Sequence, residues 1–214
     1  MDDSWVLIDD RVVPALLPWK ESIFSTANGH LGTRGAFEEG FAGSTPTTFM
    51  HGQFHTPPGG LPFLAPLPDW TGVHLDIDGV RFRLDEHPPA GYERTLDLRT
   101  GVLTRRVLWR GPGTGVVRVE FRRLLSLAQP DLAALEITVT SLSRDVEVRL
   151  ETGIDASHES PFGTVWHDVQ WDRPGSDLLT MRAGTEDGAL SVGVASAIRG
   201  VECPTLIDDP RHPR

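Results

Sequence analysis

The side chains with the greatest chemical capacity cluster in one glycine-rich segment near the start of the chain. Residues 27–35 read Ala-Asn-Gly-His-Leu-Gly-Thr-Arg-Gly, and Asn28 is the only asparagine of the protein. Glycine at every third position lets the backbone turn tightly or approach another group closely. The pattern supports two interpretations. Arg34 could hold a carboxylate or carbonyl groups in a structural turn, or Asn28, His30 and Arg34 could face a sugar or a neighbouring domain.

Carboxylic acids suited to cleaving a glycosidic bond are also present, because that reaction needs a positioned acid and often a second carboxylate. The acidic clusters are Glu38-Glu39, Asp85-Glu86, and Asp155 with Glu159. Neighbouring carboxylates in a β-rich chain usually lie in solvated turns or at sheet edges. We therefore expect these acids to be solvated, and we assign no catalytic residue.

Two histidines have a spacing that could in principle suit a metal ion. His51 and His55 are four residues apart, but that spacing brings two ligands to one ion only on a helix. The glycine between them and the prolines at 57 and 58 disfavour a helix. We therefore predict no metal site.

Tryptophan side chains could stack on sugar rings through their apolar faces, although core packing and domain contact are commoner uses of this residue. Trp166 and Trp171 differ in parity along one predicted strand, so at most one of them is expected to be fully buried in a sandwich. Trp70 follows a proline-rich loop and joins the three polar residues of the glycine-rich segment as a candidate for a substrate rim or a domain interface. The candidates for sugar stacking are Trp70, Trp109, Trp166 and Trp171.

The elements that position these side chains are predicted to be short β-strands. Val73 to Ile77 and Val80 to Leu84 alternate apolar and polar residues around Asp78-Gly79, a two-residue sequence typical of a tight hairpin turn. Regular strand spacing of this kind indicates a sandwich or barrel, and we find no long amphipathic helix. Alternation predicts further strands at 92–98, 102–109, 116–127, 132–142, 146–150, 165–171, 178–183 and 189–198.

The first seventy residues follow a different pattern. Residues 5–8 are consistent with a strand, and residues 14–25 with a short helical turn. Residues 26–70 are rich in Gly, Pro, Thr and His and contain few alternating segments. We predict a long loop region there, and such loops are usually functional or form interfaces.

Charge and composition exclude several classes of partner. The formal net charge of −10 repels phosphate backbones, so we expect no nucleic acid partner. The single cysteine, Cys203, excludes an internal disulfide and suits a reducing compartment. The start lacks the apolar run of a signal peptide, and no segment is apolar enough to span a membrane. We predict a cytoplasmic protein without a membrane partner. Residues 201–214 contain nothing that closes a sheet, so we expect the native protein to continue.

Several ordered motifs together resemble one known family. Asn28 to Gly35 preceded by Glu21-Ser22-Ile23-Phe24 and followed by Phe37-Glu38-Glu39-Gly40 is similar to the opening motif of glycoside hydrolase family 65. That family includes maltose, trehalose and kojibiose phosphorylases and acid trehalases. The same likeness extends through the segments 67–70, 92–105, 123–128 and 132–135.

The resemblance implies an all-β fold, an antiparallel β-supersandwich of the galactose-mutarotase-like type, with residues 1–214 as one N-terminal domain. It also implies that the catalytic acid lies on a later (α/α)6 barrel that these residues do not contain. The expected partners are that barrel on the same polypeptide, a disaccharide substrate of the parent enzyme, and a second copy in a homodimer. No cofactor is implied, although a phosphorylase would use inorganic phosphate as co-substrate.

Two other functions stay open at this point. The chain could be a stand-alone carbohydrate-binding module that uses exposed tryptophans. It could instead be a small mutarotase-like sugar epimerase, which needs a histidine and a carboxylate in one cleft. The histidines available for that role are His74, His158 and His167.

Overall fold

The computed structural model describes residues 3–157 and 163–200, which form short antiparallel strands and little helix. The chain divides into two compact units, one made of Met1–His51 and Thr71–Thr152 and the other of Gly52–Trp70 and Gly153–Arg214. The strand content confirms the predicted all-β class. The assignment of residues 1–214 to a single domain stays a prediction. No helix in the described ranges is long and apolar enough to cross a membrane.

The first unit contains a five-stranded antiparallel sheet and a smaller three-stranded sheet. Their strands are β1 (Val6–Asp9), β6 (Val73–Ile77), β7 (Val80–Arg81), β8 (Gly91–Asp97), β9 (Val102–Trp109), β10 (Val117–Leu125), β11 (Ala133–Ser141) and β12 (Val148–Thr152). The larger sheet has the strand order β1-β8-β9-β10-β11, and the smaller sheet has the order β12-β6-β7. The only α-helix of the described residues, α1 (Leu17–Ile23), follows a short 3-10 turn at Pro14–Leu16.

The core of the first unit forms because alternate residues of each strand point to one face. Residues of β6, β9 and β10 that share the inward parity are almost fully buried, and helix α1 contributes Leu17. Phe82 lies against Trp109 and Phe121, with ring centroids 5.3 and 6.1 Å apart. Burial of each such side chain stabilises the folded state by about 1.5–3 kcal/mol. Because that stabilisation requires apolar residues at every second position, the alternating pattern predicts these strands.

The predicted hairpin turn between β6 and β7 is confirmed, although β7 ends at Arg81 and not at Leu84 as the alternation predicted. Asp78 and Gly79 have φ angles of 51° and 77°, the left-handed values that a two-residue turn with matching twist requires. The Asp78 carboxylate accepts hydrogen bonds from the backbone N–H groups of Gly115 and Glu147 at 3.1 and 2.9 Å. These backbone hydrogen bonds are the main reason why the pKa of Asp78 lies below its ordinary value.

The region predicted as a long loop, residues 26–70, contains four strands instead. They are β2 (Thr26–Ala27), β3 (Leu31–Thr33), β4 (Thr48–His55) and β5 (Phe63–Pro66), in the order β2-β3-β4-β5. Strands β2 and β3 are too short to show alternation, and β4 is exposed or half-buried along most of its length with Gly52 at a φ of 79°. Its sequence therefore lacks the apolar period of a strand with one buried face.

The second unit contains the sheet β13-β14-β15, formed by β13 (His167–Gly175), β14 (Leu178–Gly184) and β15 (Ser191–Ala197). Trp166 is buried and donates a hydrogen bond from Nε1 to the Pro66 carbonyl at 2.7 Å, whereas Trp171 is half-buried. The expectation that at most one of these two tryptophans is fully buried is confirmed. His158 and Glu159 lie outside the described residues.

Candidate functional site

Asn28 closes the tight β2–β3 hairpin and connects it to a distant loop. Its Oδ1 accepts hydrogen bonds from the backbone N–H groups of His30 and Leu31, at 3.0 and 2.7 Å. Its Nδ2 donates to the carbonyls of Ser126 and Pro130, at 2.7 and 2.9 Å. The amide thereby uses its two donors and both acceptor positions. Asn28 therefore holds the hairpin against the loop between β10 and β11.

His30 lies at the tip of the same hairpin and remains partly exposed. Its Nε2 is 2.8 Å from Oδ1 of Asp131, and about a third of the side chain (35%) is accessible to solvent. The loop that carries Asp131 also presents Leu127, which is 80% exposed. His30 therefore contacts the loop between β10 and β11 through Asp131.

Arg34 connects the segment after β3 to helix α1. Its Nη2 donates to Oε2 of Glu21 at 3.1 Å and to the Pro18 carbonyl at 2.9 Å. Glu21 is fully buried, and its other oxygen accepts a hydrogen bond from Ser44 Oγ at 2.5 Å. Arg34 thus holds both a carboxylate and a carbonyl, the structural arrangement that the sequence allowed.

Glu38 and Glu39 are buried, so the expectation that they are solvated is wrong. Both lie against Arg105 of β9, which donates to Glu38 Oε2 at 2.7 Å and to Glu39 Oε1 at 2.8 Å. Each residue is only 4% exposed. Burial of a carboxylate without a partner lowers the free energy of unfolding by several kcal/mol. The guanidinium group of Arg105 provides hydrogen bonds and a positive charge to both carboxylates at once. Both carboxylates are therefore buried in an ion pair with Arg105 and do not face a cleft as a catalytic pair would.

Two further arginines on neighbouring strands complete the arrangement, and we call Arg94, Arg105 and Arg123 the arginine cluster. Arg94 of β8 donates to the Gly35 carbonyl and to Asp9 Oδ2, both at 3.0 Å. Arg123 of β10 donates to the Arg34 carbonyl at 2.9 Å. All three guanidinium groups are almost fully buried. The cluster therefore holds the chain from residue 34 to residue 39 by charge and by backbone hydrogen bonds.

A signal for this cluster was present in the sequence. Arg94, Arg105 and Arg123 have the same parity as the buried residues of their strands, such as Val107 and Phe121. A charged residue at a position of core parity indicates a buried ion pair when a carboxylate is available elsewhere in the chain. Their register also places Arg94 directly opposite Arg105.

The two buried acids respond differently to their surroundings. Burial raises the pKa of Glu38, but the positive charges of Arg105 and Arg123 together lower it by more than burial raises it. The pKa of Glu38 therefore lies below its ordinary value. Burial also raises the pKa of Glu39, and here Arg105 does not compensate, because the charge of Glu38 opposes it. Glu38, with two arginines, is therefore the more firmly ionised of the pair.

The hydroxyl of Tyr92 lies near the arginine cluster, and its pKa tests whether this region is buried. Its hydroxyl is buried without a hydrogen bond among the described residues, and burial raises the pKa of Tyr92 more than Arg94 and Arg105 lower it. Tyr92 is the only tyrosine, so phenolate absorbance near 295 nm reports on it alone. We expect its midpoint in the folded protein to lie well above the ordinary value of about 10, and to return to about 10 in denaturant.

The same shift determines how alkali affects stability. The folded state holds the Tyr92 proton more tightly than the unfolded state does. The contribution of Tyr92 to the free energy of unfolding is therefore fully present below about pH 10 and falls as the pH rises further. A midpoint near 10 in the folded protein would show that the hydroxyl is solvated.

Trp70 belongs to the second unit and is half-buried. Its neighbour Asp69 forms an isolated antiparallel bridge with Asp155, with backbone N–H to carbonyl distances of 2.8 and 2.7 Å. Asn28, His30 and Arg34 lie together in the first unit, on the β2–β3 hairpin and its continuation. The assignment of all four residues to a substrate rim or a domain interface stays a prediction.

The histidine pair considered for a metal lies on strand β4. A strand separates residues four apart by about 13 Å, too far for one ion to be bound by both. His55 instead lies edge-on to Phe63, with ring centroids 5.6 Å apart. Within residues 3–157 and 163–200, no group of three or more His, Cys, Asp or Glu side chains is placed to hold a metal.

Comparison with known proteins relates this geometry to a family. The family model described as "Glycosyl hydrolase family 65, N-terminal domain" matches residues 7–206. The chain belongs to glycoside hydrolase family 65. The match covers the hairpin with Asn28, the buried acids and the arginine cluster, so these belong to the part shared with family 65. The resemblance read from the motifs is thereby confirmed.

Relatives of this family 65 chain include kojibiose phosphorylases and a trehalose phosphorylase. Kojibiose phosphorylase of Halothermothrix orenii is 30% identical over 200 residues, which are 92% of this chain and 25% of that protein. Kojibiose phosphorylase of Escherichia coli is 32% identical, over 81% of this chain and 23% of its own length. The α,α-trehalose phosphorylase of Thermoanaerobacter brockii is 31% identical, over 72% and 22%. The chain thus spans about a quarter of the relatives that it matches.

A solved structure supports the fold assignment. A protein from the human microbiome, named as a candidate kojibiose phosphorylase, superposes with a TM-score of 0.78 and 19% sequence identity. The superposition covers 89% of this family 65 chain and 27% of the other. At this identity the likeness concerns the fold alone, and it confirms the predicted fold class.

Proposed function

We propose that this chain is the non-catalytic N-terminal domain of an α-glucoside phosphorylase or glycoside hydrolase. Its role is to support an (α/α)6 catalytic barrel on the same polypeptide and to contribute to the active-site rim. One observation carries the proposal. The chain matches the N-terminal family model over 7–206 and spans only 25% of a kojibiose phosphorylase, so most of the relative's length lies outside the matched part.

The internal charges of the first unit favour a supporting role over catalysis. A catalytic acid must face substrate and exchange its proton, whereas Glu38 and Glu39 are buried against Arg105. The arginine cluster instead stiffens the segment behind the β2–β3 hairpin. In the proposal, His30 at the hairpin tip contacts the neighbouring domain, and Asn28 and Arg34 hold the hairpin in place behind it.

The proposal includes the remaining partners of the parent enzyme. Its substrate is a disaccharide, and inorganic phosphate is the co-substrate if the parent is a phosphorylase. The parent acts in the cytoplasm as a homodimer. Trp70, from the second unit, is assigned to the rim or to the domain interface by the same proposal.

Isothermal titration calorimetry with kojibiose and trehalose distinguishes this role from a carbohydrate-binding module. We expect no heat of binding at millimolar sugar, because a supporting domain lacks a complete sugar site. Full-length kojibiose phosphorylase of Escherichia coli titrated with kojibiose is the positive control. Saturable binding by the chain alone would favour a binding module, and faster mutarotation of glucose would favour an epimerase.

A further inference from the structure

The β2–β3 hairpin turns at an Asn-Gly pair whose glycine nitrogen is unhindered. Asn28 is the only asparagine of the chain, and Gly29 follows it with a φ of 86°. A Cβ built on Gly29 would meet nothing within 4 Å. The Gly29 N–H donates no hydrogen bond to any group of residues 3–157 and 163–200. Because glycine carries no side chain, its nitrogen can approach the side-chain carbon of Asn28.

The side-chain carbonyl of Asn28 is polarised by the same hairpin. Its Oδ1 accepts hydrogen bonds from the backbone N–H groups of His30 and Leu31, at 3.0 and 2.7 Å. Two such donors stabilise the negative charge that develops on a carbonyl oxygen when a nucleophile attacks its carbon. The hairpin therefore provides both a nucleophile, the Gly29 nitrogen, and the donors that would stabilise the oxyanion.

The nitrogen of the same side chain opposes this reaction while it stays bound. Nδ2 donates to the carbonyls of Ser126 and Pro130, at 2.7 and 2.9 Å. Attack by the Gly29 nitrogen makes Cγ tetrahedral and moves Nδ2 out of the amide plane, away from these two carbonyls. The reaction therefore requires the hairpin to separate locally from the loop between β10 and β11. Local openings of this kind cost less free energy than global unfolding.

We propose that Asn28 is a site of self-modification, where the chain deamidates when the hairpin separates from that loop. The Gly29 nitrogen bonds to Asn28 Cγ, and its proton passes through water to Nδ2. The Cγ–Nδ2 bond then breaks, and the nitrogen leaves as ammonia. Water opens the resulting five-membered succinimide at either carbonyl carbon, returns a proton to the Gly29 nitrogen, and leaves aspartate or isoaspartate at position 28. One water is consumed for each ammonia released.

The product cannot form the original attachment again. An amide has two N–H donors, whereas an ionised carboxylate has none. A carboxylate at position 28 would place an oxygen against the carbonyls of Ser126 and Pro130, which both lose their donor. Loss of such a partner is more costly than the gain from an average hydrogen bond. The modification is therefore a one-way release of the hairpin from the loop.

Intact-mass spectrometry of the 214-residue chain in mildly alkaline buffer measures this reaction, and peptide mapping assigns it to Asn28. We expect a progressive mass gain equal to the exchange of NH2 for OH. Asp131→Ala removes the pair with His30, which also connects the hairpin to the loop. The rate should therefore rise about two- to fivefold, the worth of an exposed ion pair. Asp10→Ala removes an exposed acid beside Arg11 and should leave the rate unchanged.

Hydrogen exchange followed by mass spectrometry tests the one-way release. Asn28→Asp reproduces one product of the reaction. In this variant and in the aged chain, we expect faster exchange in residues 26–33 and 126–132 than in the unmodified chain. Exchange in β6, within the core of the first unit, should not change. The melting temperature of Asn28→Asp should fall by several degrees, because two hydrogen bonds are lost.

Three results would overturn the proposal. They are a constant mass during incubation, equal rates for Asp131→Ala and the unsubstituted chain, and exchange in Asn28→Asp that matches the unmodified chain. The proposal uses contacts within the first unit alone, and neither experiment involves a sugar. Its failure is therefore distinct from failure of the supporting role.

Discussion

Replacing Arg105 with methionine is expected to lower the free energy of unfolding by about 3–5 kcal/mol, the usual cost of removing one partner from a buried ion pair. Arg105 is the group that faces both Glu38 and Glu39, and all three residues are almost fully buried. Methionine preserves much of the packing against Phe37 and Phe121, whose ring centroids lie 4.4 Å from the guanidinium carbon. The loss therefore reports mainly on charge.

The adjacent residue provides the matched control. Arg106 has the opposite parity on β9, is 48% exposed, and pairs with Glu93 and Glu120 on the surface. Arg106→Met should cost less than about 1 kcal/mol. Urea unfolding followed by tryptophan fluorescence measures both variants. Adding Glu39→Gln to Arg105→Met should recover part of the loss, because one uncompensated carboxylate is removed. Equal costs for the two arginines would show that the acids are solvated.

Gly35→Ala is expected to lower the free energy of unfolding by about 1–3 kcal/mol. A Cβ at this position would lie 2.7 Å from the Phe24 carbonyl oxygen and 2.8 Å from the Phe24 Cβ. Neither the segment around Phe24 nor the segment around Gly35 can easily move to relieve this clash. Gly35 N–H donates to the Glu21 carbonyl at 2.8 Å, and the Gly35 carbonyl accepts from Arg94. The close approach of two backbones is therefore the reason for glycine here.

Gly32→Ala is the control within the same motif. Its Cβ would meet only the Ala27 Cβ, at the ordinary contact distance of 3.8 Å, so the change should stay within about 0.5 kcal/mol. Thermal unfolding of the two variants should separate them by several degrees. If both glycines tolerate alanine equally, the segment after β3 does not pack against Phe24 as described.

The sequence predicted the elements whose residues alternate and whose turns are local. The β6–β7 hairpin is an example, because the preference of Asp78-Gly79 for positive φ acts over two residues. The sequence did not predict β2 to β5. The β2–β3 hairpin is held by contacts such as those from Asn28 to Ser126 and Pro130, which are 98 and 102 residues away. Such contacts leave no periodic pattern along the chain.

The candidate site was predicted in part for a similar physical reason. Residue type and glycine spacing indicated Asn28, His30 and Arg34, and the structure shows which groups they contact. The burial of Glu38 and Glu39 was missed because adjacent acids are usually solvated. The parity of Arg105, counted together with the apolar residues of β9, indicates that its cation lies inside the core.

Release of glucose by the isolated chain tests the central claim most directly. The chain is incubated with kojibiose or trehalose, with and without phosphate, beside the full-length kojibiose phosphorylase of Escherichia coli as a control with kojibiose. If the chain is a supporting domain, glucose should stay at the level of the blank at every chain concentration. Glucose that increases in proportion to the chain, and that is lost in Glu38→Gln or Glu39→Gln, would contradict the account.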